Sequence, residues 1–508
     1  MSGSRRRWVL WLLSAAAIAV PCLVVRIPPV TDLPQHLGQM RLFIETLGTS
    51  NGPFAIQPLT PYWGAHLVLL PVWLVAPARA VASLSLLLLG LLWVGAVHAL
   101  AWRRDRAPVA AVLASVFFFS QSLYWGFIPF LVGWPLYLLW LQVIQRTDGS
   151  VVAVLVRHTL CAALLYACHA LWFAMAMLTL AAHWATRRPG WRAVFRQAVA
   201  VLPVGLLALW WYPQLAQRGF TSPPLYIRDF AERLSPPGLL TAALGGLRDS
   251  VEGPVLLLVV GWLGLGLWQH RRELRGHVDG ALLVPALLLT ACALVLPDKY
   301  SNTILLAERW LPCAMVLLLL ALPPPRLPSR ALHAWSAAAL LLLSGFTAMT
   351  WQAFEQDELE GLETAVDAVP QGARLLGLAY PRESALVLGR PFLQAFSYAY
   401  VLRGATLSFS FAWFAPSPVV QRDFQRPPWT PGLTWNPEHA TTGDFQYFDH
   451  VLVALDGDES HDEFARAMPV TPVTRTGRWR LYRSEPTLIP SRPGLRPIDA
   501  GVAGPRAP

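Results

Sequence analysis

Apolar residues run along this chain in long unbroken stretches, at about 8–25, 62–76, 80–101, 107–121, 124–145, 151–186, 193–211, 253–269, 281–297, 304–323 and 331–351. Several of these approach or exceed the ~18 residues that suggest a bilayer-crossing helix. The pattern predicts a polytopic α-helical membrane protein with about eleven transmembrane helices. Two stretches leave the count open. Residues 62–101 fit one crossing, with Pro71 and Pro77 breaking a longer element, or two. Residues 151–186 fit one long helix or two short ones. Arginine clusters separate many of the runs: Arg5 to Arg7, 103–106 (RRDR), 187–196, 271–275 (RRELR) and 326–330. Such clusters stay on the cytoplasmic side. They place the N-terminus inside, the 26–61 segment outside and everything after 351 outside. Two arrangements remain self-consistent. One keeps 103–106 inside and 120–127 (SQSLYWGF) outside, and the other reverses both. The positive-inside rule favours the first.

Beyond residue 351 the pattern changes. Residues 352–486 read as a small soluble α/β domain, with strands predicted at 373–380, 450–456 and 478–484 and helices at 357–369 and 392–402. Residues 487–508 are rich in Pro, Gly and Arg and read as a disordered tail. The expected division is a transmembrane region over 1–351, carrying the external 26–61 segment, then the extracytoplasmic 352–486 domain and the tail.

Composition supports the membrane assignment. The chain is 55% hydrophobic and only 14% charged, where soluble domains carry nearer a quarter. Its 23 tryptophans suit bilayer interfaces. The net charge of +10 resides mostly in arginines of short loops, so it argues for membrane orientation and not for nucleic acid. Cys22, Cys161, Cys168, Cys292 and Cys313 lie in or beside apolar runs, without metal-ligand spacing, and read as small buried hydrophobes. The N-terminus has the form of a secretory signal, and the many later spans favour a retained signal anchor.

Polar residues in greasy surroundings mark the candidate chemistry. In 28–48 (PPVTDLPQHLGQMRLFIETLG), Leu33, Leu37, Met40, Ile44 and Leu47 fall at helical spacing. They predict a helix lying along the membrane surface. Asp32 precedes it with Gln35 three residues on, a capping-box pattern. Asp32 therefore reads either as a cap or as a partly desolvated general base, with His36 one turn away. Glu45 reads as the partner of Arg41. Arg309 sits in an external loop at the head of a span, together with Lys299. It reads as a candidate anion-binding cation, unless it snorkels or pairs with Glu308. Arg218, Arg228, Arg233 and Arg248, in the external 212–250 segment, are weaker candidates. His169 is a polar residue inside an apolar run, a functional candidate by position. Tyr124 and Trp125 are placed to stack on a sugar ring, or to form an aromatic belt. No Gly-rich phosphate loop and no Ser-His-Asp order is present.

A long first external loop with an early Asp on a surface helix resembles the GT-C superfamily of membrane glycosyltransferases. The resemblance extends to LYWGFIPFLVGWPLYLLWLQ (123–142), YACHALW (166–172) and AFSYAYVLRGA (395–405). It implies transfer of a sugar from a polyprenyl-phosphate carrier to a lipid, glycan or protein acceptor, on the outer face of a bacterial cytoplasmic membrane. Asp32 and His36 would be catalytic. Arg309, Lys299, Tyr124, Trp125 and His169 would bind substrate. Many members carry an Asp-Asp, Asp-Glu or Asp-x-Asp pair, whereas this chain has a lone Asp32. A divalent metal is compatible with the resemblance and is not specified by it. Two other readings remain: a lipid or glycan transporter or flippase, and a non-catalytic partner in envelope-polysaccharide assembly.

Overall fold

A computed structural model describes residues 3–49, 52–146, 149–217, 221–248 and 251–485. The 487–508 tail lies outside the described residues, as does Arg218. Helices follow the apolar runs closely: α1 (Gly3–Leu23), α2 (Leu33–Leu47), α3 (Gly64–Val75), α4 (Val81–Arg103), α5 (Pro108–Ala114), α6 (Ile128–Val143), α7 (Val151–Cys168), α8 (Ala170–Arg187), α9 (Trp191–Gln217), α10 (Glu252–His270), α11 (Gly280–Val295), α12 (Trp310–Ala321) and α13 (Ser329–Ala353). Among the described residues, six helices are long and apolar enough to cross a membrane, and five shorter apolar ones lie among them. Leu202, Leu206, Leu209 and Trp210 of α9 are exposed, as expected of a lipid-facing surface.

Ion pairs identify the two ends of the bundle. At one end Arg7 meets Asp105 at 3.1 Å, Arg104 meets Asp279 at 3.7 Å and Arg326 meets Glu273 at 3.0 Å. The arginine clusters thus gather together. At the other end Thr31 and Asp32 donate their backbone N–H groups to the carbonyls of Tyr124 and Trp125. Segments 26–61 and 120–127 therefore share an end, as the arrangement favoured by the positive-inside rule requires.

The two open stretches resolve differently. Between α3 and α4, Arg79 pairs with Asp367 of the C-terminal region at 2.7 Å. At its start, Trp63 bonds to the Ala167 carbonyl beside His169. Both ends of α3 thus stay at the C-terminal-region end, and α4 alone runs to the arginine end. Residues 151–186 form two helices, parted at His169 with extended backbone (φ −168°, ψ 130°).

Many tryptophans serve the core and not an interface. Trp93, Trp134, Trp140, Trp172, Trp310 and Trp351 are all but fully buried. Phe130 stacks on Trp172 with centroids 4.9 Å apart, and Trp172 meets Trp310 edge-on at 5.2 Å. Short helices α3, α6 and α12 leave space between longer neighbours, and large rings fill it.

Among the described residues, nine short strands complete the architecture. β1 (Phe54–Ile56) pairs antiparallel with β6 (Val419–Gln421), tying the first long loop to the C-terminal region. β2 (Lys299–Tyr300) and β3 (Thr303–Ile304) form a hairpin whose turn residues Ser301 and Asn302 both have positive φ. β4 (Arg374–Ala379), β5 (Thr406–Leu407), β7 (His450–Ala454), β8 (Val470–Pro472) and β9 (Trp479–Ser484) form a mixed sheet of order β5-β4-β7-β9-β8. β4 is parallel to both β5 and β7, and the rest is antiparallel. The three strands predicted from sequence are β4, β7 and β9. Expected helix 357–369 is confined to Leu362–Asp367, after a π-turn at Phe354–Glu358. Expected helix 392–402 begins only at Tyr398, after a 3-10 turn.

Candidate functional site

α2 is covered by protein over its first ten residues. Leu33, Leu37 and Met40 are buried in the bundle core, and the polar residues Gln35 and Gln39 are buried as well. The C-terminal region folds over this second face. The Gln35 amide donates to Gln394 Oε1 at 3.1 Å and to Ser397 Oγ at 2.8 Å, and its oxygen accepts from the Phe411 N–H. An apolar stripe in the sequence cannot distinguish lipid from protein as its partner. Arg41 and Glu45 pair at 2.7 Å as expected, and the Tyr400 hydroxyl also donates to Glu45.

Asp32 is not a side-chain cap. Its backbone accepts from the His36 N–H, but its carboxylate makes no capping bond. Gly126 explains how the carboxylate is placed. With φ at +77°, this glycine lets the 120–127 turn rest on the Asp32 backbone, and a Cβ there would lie 2.6 Å from Asp32 N. The Asp32 side chain lines a cavity of about 400 Å³ between the bundle end and the C-terminal region. His36, Tyr62, His66, His169 and Arg309 line it too.

Arg309 reaches this cavity from the loop before α12. Its Nε and Nη2 donate to the Ile304 carbonyl at 3.2 and 2.7 Å, and its guanidinium lies 3.5 Å from the Phe127 ring centroid. It does not pair with Glu308. That carboxylate is taken by Arg228, which also bonds Asp298 at 3.0 Å, while Arg233 bonds Asp298 at 2.7 Å. Arg228 and Arg233 are thus clamps on the 298–309 loop, and Arg248 pairs with Glu383 at 2.7 Å. Among the described residues, none from 212–250 lines the cavity.

Electrostatics follow from enclosure. Burial pushes the Asp32 carboxyl up to about 7, against the opposing pull of Arg309. Burial drives the His36 imidazole down to about 3, with His66 adding to the effect, so His36 is neutral at any working pH. The Tyr62 phenol is raised to about 12 by burial, while Arg309 falls to about 10 for the same reason and still keeps its charge.

His169 lines the cavity, accepts from the Leu171 N–H at 3.2 Å as the cap of α8, and meets Tyr62 edge-on at 4.8 Å. Three other candidates are not brought in. Tyr124 is buried behind the wall, where its hydroxyl accepts from Trp351 Nε1. Trp125 stacks on Phe127 with centroids 6.3 Å apart, so it supports the wall and does not face the cavity. Lys299 sits in the β2-β3 hairpin, bridged to Leu225, and only its neighbours Asn302, Thr303 and Ile304 reach the cavity. Aromatics alternate with small residues in SFSFAWF (408–414), and sequence reasoning passed over this segment. Phe409, Phe411 and Phe414 from it form the opposite wall with Trp435, and Phe411 meets His36 edge-on at 5.4 Å. Its one sequence signal was the density of aromatic residues.

Asp32 is the sole carboxylate lining the cavity, and among the described residues no group of three or more His, Cys, Asp or Glu side chains is arranged to hold a metal ion.

No family model matches the sequence, and no curated protein does. Among solved structures, ArnT from Cupriavidus metallidurans bound to undecaprenyl phosphate is similar, at 13% identity and a TM-score of 0.55, covering 94% of this chain and 97% of that one. The apo state of ArnT is matched at 13% identity over 96% of this chain and 100% of that one, with a TM-score of 0.45. The chain thus shares the overall fold of ArnT along almost its whole length.

Proposed function

We propose that this protein is a membrane glycosyltransferase that moves a sugar from a polyprenyl-phosphate carrier to a lipid, glycan or protein acceptor. One observation carries the reading: Asp32 and Arg309, distant in sequence, line one cavity in a protein whose fold is that of an enzyme solved with undecaprenyl phosphate. An acceptor hydroxyl attacks the anomeric carbon of the donor. A new C–O bond forms as the bond from that carbon to the phosphate oxygen breaks, inverting the centre. The hydroxyl proton passes to the Asp32 carboxylate, which its surroundings tune close to neutrality. The bonding electron pair leaves on the phosphate, whose growing charge is met by Arg309 with Tyr62 beside it. His36, held neutral, and His169 orient substrate and do not donate a charge. The gathered arginine clusters support an orientation with the cavity on the outer side of the cytoplasmic membrane. A cavity at one end of the bundle, closed over by the C-terminal region, suits transfer at a membrane face better than transport through a midplane site.

The test is transfer of radiolabelled sugar from undecaprenyl-phosphate donors by purified protein, comparing wild type with Asp32→Asn. A loss of roughly 10²–10⁴-fold in a folded variant supports the base. Unchanged transfer rejects it.

A further inference from the structure

We propose that the transferred sugar is neutral, carrying hydroxyl groups and no ionised amine or carboxylate. The inference rests on the polyprenyl-phosphate reading above and names its donor class.

It follows from the charges in the cavity. Among the residues lining it, Asp32 is the only carboxylate and Arg309 the only permanent cation. Both are committed. An ammonium on the sugar would have to pair with Asp32, and would suppress its capacity to take the acceptor proton. A carboxylate on the sugar would compete with the leaving phosphate for Arg309. No other counter-charge is within the walls. His66 and His169 are 4% and 5% exposed, and the half-buried His36 is held neutral at working pH. Much of the remaining surface is aromatic or proline: Phe127, Phe130, Phe411, Phe414, Pro416 and Trp435. An ionised group entering such surroundings from water without a partner is strongly disfavoured.

What the cavity does offer matches hydroxyls. Tyr62, Asn302, Thr303, Gln394 and Ser417 supply neutral donors and acceptors. Aromatic rings facing them suit the C–H faces of a sugar ring, and the volume of about 400 Å³ lies in the usual range for a small-molecule site.

The experiment uses the full chain in detergent and measures affinity by ligand-dependent thermal stabilisation. The probes are undecaprenyl phosphate alone and two matched series linked to it: glucose, glucosamine and glucuronic acid, then galactose, galactosamine and galacturonic acid. In each series the neutral member is expected to bind at least tenfold more tightly than the amine or the acid. Equal affinity across a series, or preference for an ionised member, overturns the inference and leaves the glycosyltransferase reading standing, because a lipid-linked sugar is still bound. Failure of all seven probes to bind, undecaprenyl phosphate included, removes both.

Discussion

Asp32 combines a cost in stability with a gain in chemistry. Its folded-state value of about 7 lies above the ordinary 3.8, so the carboxyl opposes folding increasingly as pH rises from 3.8 through 7. Asp32→Asn removes an ionisable group from this enclosure. The variant is expected to be more stable than wild type at pH 8, by up to about 4 kcal/mol given ~1.4 kcal/mol per pKa unit. The advantage should shrink toward pH 4. Thermal unfolding in detergent across that range measures it, and a variant less stable at pH 8 contradicts the burial argument. Because the base must be ionised, the kcat/KM of wild type should rise about tenfold per pH unit below 7 and level off above it. An acid limb near pH 4 would place the base elsewhere. Asp32 was visible in the sequence as an odd carboxylate, but its two readings could not be separated there. Geometry removes the capping reading, since the side chain makes no cap bond and lines the cavity.

At the level of elements, two devices hold the site. The turn containing Gly126 carries backbone acceptors to Thr31 and Asp32, and its left-handed φ excludes a side chain at close range. Gly126→Ala should lower transfer at least tenfold while leaving most of the fold intact, which near-unchanged unfolding by circular dichroism would check. The loop 298–309 is held by Asp298, whose buried carboxylate joins Arg228 and Arg233. Replacing it by Ala leaves both guanidiniums short of a partner. A loss of about 3 kcal/mol is expected, together with weaker undecaprenyl phosphate binding as Arg309 loses its fixed position. A stable Asp298→Ala protein with wild-type affinity would assign the loop's geometry to other contacts. The sequence announced these segments only as loops of unusual length, because the pairing of Arg228 with residues some 70 to 80 positions away is set by tertiary contacts.

For the whole molecule, the testable property is sidedness. Thr49 and Thr441 should be labelled from one side of the membrane when replaced by cysteine, and Arg272 from the other. Labelling of Thr49 and Thr441 from opposite sides contradicts a cavity shared by α2 and the C-terminal region. The sequence by itself determined the helical membrane class, the approximate bounds of most apolar helices, three strands of the C-terminal sheet and the choice of Asp32, His36, His169 and Arg309. These depend on local quantities: runs of apolar residues, alternation, and the rarity of polar groups in greasy surroundings. Tertiary structure alone decided that the first part of α2 is buried in protein, that α3 begins and ends at the same end of the bundle, and that Tyr124, Trp125 and Lys299 stand outside the cavity. It also decided that the 409–414 aromatics face Asp32 from the far side. The physical reason is that an apolar stripe or an aromatic cluster records a need for cover without recording what covers it. Only the packed chain, with more than 350 residues between the two walls, supplies that partner.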